Sequence, residues 1–80
     1  MMDIKSLITI DKDIQGGQPV FSGTRVPVES LFDHLESGVS LDDFLEDFPG
    51  VTRQQAVDLL EAANKILTSK NLEQLYAAVA

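Results

Sequence analysis

Eighty residues with no cysteine, one histidine and a net charge of −7 set narrow bounds on this chain. That length makes one domain at most, with a core small enough to be marginal without a disulfide, a metal or a partner. Lack of cysteine removes disulfides and thiolate metal sites, and the lone His34 removes a histidine-based zinc site, which leaves oligomerisation or a partner protein as support.

No apolar run approaches the roughly 18 residues that span a membrane. The first residues, Met1-Met2-Asp3-Ile4-Lys5, lack the basic and apolar regions of a signal peptide, so the cytoplasm is the expected compartment. Charge is distributed unevenly. Residues 1–28 balance three acids with three bases; residues 29–61 hold nine acids against Arg53, net −8; residues 62–80 hold Lys65 and Lys70 against Glu73, net +1. An acidic middle repels phosphate and attracts basic partners, although a solvated helical face kept for solubility is the plainer reading.

In chain order, Leu7-Ile8-Thr9-Ile10 is rich in β-branched residues and predicts a short strand. Asp11-Lys12-Asp13 reads as a turn, and Gly16-Gly17 permits a tight backbone path. Pro19-Val20-Phe21 and Arg25-Val26 flank Ser22-Gly23-Thr24, which predicts a second pair of very short extended segments. Residues 1–26 are therefore expected to form a β-rich, non-helical arm.

A first helix begins near Pro27 and carries Val28, Leu31, Phe32 and Leu35 at helical spacing until Gly38 ends it. Ser40 caps a second, with Asp42 and Asp43 in its first turn and Leu41, Phe44, Leu45 and Phe48 on its apolar face; Pro49 ends it. Thr52 and Gln55 form a capping box for a third and longest helix, whose broad face is Ala56, Leu59, Leu60, Ala63 and Leu67, widened by Val57 and Ile66. After a weak break at Thr68-Ser69-Lys70-Asn71, Asn71 with Gln74 caps a last segment over residues 70–80, carrying Leu72, Leu75, Tyr76 and Val79 as an amphipathic stripe. The expected fold is mainly α: a trihelical, helix-turn-helix (homeodomain-like or winged) unit over 27–67, behind the β-rich arm and before a C-terminal amphipathic helix.

One stretch is distinctive as a string. Gly16-Gly17-Gln18-Pro19-Val20-Phe21-Ser22-Gly23-Thr24-Arg25-Val26-Pro27-Val28 resembles the signature of the bacterial "domain of unknown function 433" family. The resemblance continues through Leu31 to Glu36, Gly38-Val39-Ser40, Leu41 to Phe48, Pro49 and Val51-Thr52, and covers residues 8 to about 66. It implies a winged or homeodomain-like helix-turn-helix fold. It also implies an antitoxin role beside a PIN-like ribonuclease toxin, and it brings no agreed functional residues with it.

Five sets of residues are weighed for function. Gly16, Gly17, Pro19, Gly23, Thr24 and Arg25 could cradle a phosphate ahead of a helix N-terminus, but no Walker lysine accompanies them. Turn geometry is the plainer reading, with Arg25 pinning the arm to the acidic helices. Arg53, Gln54 and Gln55, at the start of the third helix, have side chains suited to base edges in an operator. Asp58 and Glu61 further along would face phosphates, which argues against autonomous DNA binding. Asp42, Asp43, Glu46 and Asp47 lack the spacing of a Ca²⁺ loop and read as a solvated face or a partner surface. His34, beside Ser30, Asp33 and Ser37, reads as a surface histidine. The apolar stripe at 72–79 needs something to cover it: the chain's own core, a second copy, or a toxin groove.

No nucleophile with a base, no metal constellation and no cofactor motif is recognisable, so an enzyme is not expected. The expected function is an antitoxin that binds and neutralises a PIN-like ribonuclease toxin, in a homo-oligomer. The alternative is a DNA-binding autorepressor, acting as a dimer or with the toxin.

Overall fold

The computed structural model describes residues 3–79, apart from the side chains of Asn71, Leu75 and Val79. Among the described residues it is mainly helical, with one two-stranded sheet. Its elements are α1 (Ile4–Leu7), β1 (Ile8–Thr9), β2 (Val20–Phe21), α2 (Val28–Glu36), α3 (Leu41–Asp47), α4 (Arg53–Leu67) and α5 (Lys70–Val79), with a 3₁₀ turn at Gln15–Gly17.

The arm departs from expectation at its start. Residues 4–7 form one helical turn, capped by Asp3, whose side chain accepts from the Lys5 amide at 3.0 Å. The strand is only Ile8–Thr9, paired antiparallel with β2 in the register Ile8 to Phe21 and Thr9 to Val20. Burial decides the outcome over β propensity: the turn places Leu7 inside, at 6% exposure, while Ile10 is left outside. Nor does the arm lie apart from the body. Val20 and Phe21 are fully buried, and Phe21 joins Leu31, Phe44, Val51, Ala56 and Leu59 in the core.

The helical punctuation follows the sequence closely. Pro27 stands at the N-cap of α2 with φ −61°, and Gly38 takes φ +85° just past its end. The Ser40 side chain accepts from the Asp43 amide at 3.1 Å, and Thr52 and Gln55 complete the capping box of α4. Leu31 of α2, Phe44 of α3 and Ala56 and Leu59 of α4 supply the buried helical faces.

Three expected core positions lie outside it. Val57, which widens the apolar face, is 44% exposed; Ile66 and Leu67 are 58% and 60% exposed, because the core ends near Leu60 while the apolar stripe of α4 runs on. The α4–α5 break has a local cause: the Thr68 hydroxyl donates to the Asn64 carbonyl at 2.8 Å and the Ser69 hydroxyl to that of Ile66 at 2.9 Å, engaging the last-turn acceptors. The last helix starts at Lys70, one residue ahead of the expected cap; the Asn71 side chain lies outside the described residues.

Candidate functional site

The glycine-rich signature is built as a turn. Gln15, Gly16 and Gly17 have φ of +50°, +67° and +91°, a left-handed path that glycine takes at little steric cost. The Gly17 and Gln18 amides donate to Ile14 and Gln15 within that turn. Pro19 offers its carbonyl to the Val28 amide at 3.0 Å, tying the arm to the first turn of α2. Beyond Gly23, the Thr24 hydroxyl donates to Phe21 O at 2.8 Å and accepts from the Val26 amide at 3.0 Å. With these amides engaged inside the chain, the segment turns the backbone from β2 into α2. Arg25 is exposed and forms no ion pair among the described residues, contrary to the expectation that it pins the arm.

The pin is Gln55. Its carbonyl oxygen accepts from the Thr52 amide at 2.9 Å while its NH₂ donates to Ser22 O at 3.0 Å, joining α4 to the arm across 33 residues. Sequence reading found the first bond through the capping-box spacing. The second, being long-range, left no local signal. Its neighbours are engaged too: Gln54 donates to Asp58 at 2.8 Å, and the Arg53 guanidinium pairs with Asp42 of α3. All three candidate base-contacting side chains therefore have partners within the chain.

His34 is not a free surface histidine. Its side chain is 26% exposed and meets Phe44 and Phe48 edge-on, with ring centroids 5.3 and 5.4 Å away. Nδ1 lies 2.6 Å from Ser30 O, so that nitrogen carries the donated hydrogen; Nε2 lies 4.0 Å from an Asp47 carboxylate oxygen. The ring thus joins α2 to α3 by packing.

An acidic surface covers α2 and α3. Asp42, Asp43, Glu46 and Asp47 are all exposed, as are Glu29, Asp33 and Glu36 of α2. Among the described residues, Asp42 has Arg53 and Asp47 has His34, whereas Glu29, Asp33, Glu36, Asp43 and Glu46 have no cationic partner. Glu36 and Glu46 also fall in the last turns of their helices, where the helix dipole disfavours negative charge. No three of the described carboxylates and the histidine converge as metal ligands. The surface can therefore act as an extended anionic patch rather than a chelating site.

The apolar surface lies at the other end of α4. Fifteen helical residues span roughly 20 Å at about 1.5 Å each, so α5 begins that far from the Arg53–Asp42 contact. Thr68, Ser69, Leu72, Glu73 and Tyr76 line an open groove of about 410 Å³ there. Leu72 is 36% exposed and Tyr76 73%. Leu75 and Val79, the other members of the expected stripe, have side chains outside the described residues. The two partner-surface candidates are thus separate. A smaller apolar groove on the arm, lined by Ile4, Lys5, Ile8 and Ile10, had no helical periodicity to mark it in the sequence.

Among known proteins, the chain is similar in fold to a DUF433 protein from Anabaena variabilis seen by crystallography: TM-score 0.66 at 24% identity, covering 95% of this chain and 70% of that one. It is also 35% identical over 51 residues to the uncharacterized protein y4eO of Sinorhizobium fredii, a stretch that is 64% of this chain and 23% of that relative. The profile of the proteins of unknown function DUF433 matches residues 8–62, the span that holds the glycine-rich turn, β2, α2 and α3 and most of α4, and the chain belongs to that family.

Proposed function

We propose that this chain is a non-enzymatic antitoxin of the cytoplasm, which neutralises a cationic PIN-like ribonuclease by laying the acidic α2–α3 surface over the groove that receives RNA backbone. The observation that carries the reading is the set of uncompensated carboxylates, Glu29, Asp33, Glu36, Asp43 and Glu46, on two helices packed together. Glu36 and Glu46 stand where the helix dipole opposes them, so their placement works against the helices that bear them and favours a role toward a partner. Such charge speeds association with a basic surface more than it adds affinity. The helix order α2–α3–α4, with residues 48–52 between the last two, supports a helix-turn-helix reading of the body. In that reading, operator binding requires Arg53, Gln54 and Gln55 to leave Asp42, Asp58 and Ser22.

Co-expression with a PIN-like ribonuclease, should one be encoded beside this chain, tests the proposal. Restored growth and a co-purifying complex support it. Undiminished toxicity with both proteins present overturns it.

A further inference from the structure

We propose that the C-terminal apolar surface, formed by the end of α4 with α5, is the docking site for a second copy of this chain. The inference is independent of the ribonuclease reading, which concerns the opposite end of α4.

Four large apolar side chains, Ile66, Leu67, Leu72 and Tyr76, are exposed within eleven residues, and Leu72 and Tyr76 line the groove at the α4–α5 corner. A ten-residue helix is short of the roughly 12–15 residues at which isolated helices become even marginal in water. Among the described residues, the chief neighbour of α5 is α4, and the core cluster draws no side chain from α5. Its order calls for a surface supplied from outside.

Charge selects the occupant. Each chain carries −7, concentrated as −8 over residues 29–61, so two copies repel wherever those segments meet. Residues 62–80 carry only +1, and there two copies meet away from that repulsion. A cationic partner is drawn instead to the acidic surface about 20 Å away. A two-fold pairing buries both apolar surfaces at once, each copy presenting the same patch to the other. Tyr76, large and apolar with a polar tip, is the expected anchor. Its few side chains fall short of the roughly 20–30 residues a side of a standard interface, so monomer and dimer exchange.

Sedimentation equilibrium of the 80-residue chain, across micromolar concentrations, tests this. The wild type sediments as a reversible monomer–dimer. Leu72→Glu and Tyr76→Glu each raise the dimer dissociation constant by about 100-fold or more, since a two-fold axis counts each substitution twice. Both positions are exposed, so the far-ultraviolet circular dichroism of dilute samples stays that of the wild type. Asp43→Lys and Glu46→Lys leave the dissociation constant unchanged or lower it. A wild type that stays monomeric up to millimolar concentration overturns the proposal. So does a dimer that tolerates both glutamates, or a Leu72→Glu chain that loses ribonuclease capture where the wild type never dimerises. Ribonuclease inhibition reads the other end of the molecule, so failure there leaves the sedimentation result standing.

Discussion

Gln55 holds both ends of its amide in use, one for the cap of α4 and one for the arm, and the two bonds can be separated by substitution. Gln55→Ala loses both and lowers the unfolding free energy by about 2 kcal/mol in a denaturant titration. Gln55→Glu keeps an acceptor for the Thr52 amide but sets a carboxylate against Ser22 O; a cost of about 1 kcal/mol or more then reports the arm bond alone. A glutamate variant as stable as the wild type would show that the arm is held by burial of Phe21 without that bond. Gly38 offers a cleaner backbone test. A Cβ there meets nothing within 4 Å, yet φ is +85°, so Gly38→Ala costs about 1 kcal/mol through conformation alone, read from the same titration.

At the scale of elements, Phe44 is where the arm, α2 and α3 meet. It is fully buried, 6.4 Å from Phe21, 5.3 Å from His34 and 4.9 Å from Phe48, centroid to centroid. Phe44→Ala removes about 3–5 kcal/mol. Against a total of about 5–15 kcal/mol for a small domain, that leaves the chain close to unfolded, visible as lost cooperativity on thermal melting. By contrast, the described side chains of α5 add nothing to the core cluster. A chain ending at Ser69 should therefore melt, at concentrations where the full chain is monomeric, within a few degrees of it. The helices were legible because their ends are written in local chemistry: Pro27, Gly38, Ser40, Thr52 with Gln55. The one-turn α1 was not, since Leu7 stands in a run with the β-branched Ile8, Thr9 and Ile10, and the Asp3 cap with tertiary burial of Leu7 selects the helical turn. Nor does periodicity tell a core face from an exposed one, which is why it puts Val57, Ile66 and Leu67 inside. The acidic residues were legible one by one, but their joining across α2 and α3 depends on helix packing that the order of residues does not display.

Across the whole molecule, charge divides the surface into an anionic end on α2 and α3 and a charge-balanced apolar end at α5. That division makes one substitution informative in two directions. Glu46→Lys replaces an acid in the last turn of α3 with the charge the helix dipole favours there, and should stabilise the isolated chain by about 0.3–1 kcal/mol. The same change removes negative charge from the surface proposed to meet the ribonuclease. The most direct measurement is a titration of the proposed PIN-like ribonuclease partner, at low salt, with wild-type chain and with the Asp43→Lys, Glu46→Lys double variant. Inhibition by the wild type at near-equimolar amounts, with about tenfold or more of the better-folded variant needed for the same effect, is the predicted result. Equal inhibition by both chains, or none by an excess of wild type, would contradict the account.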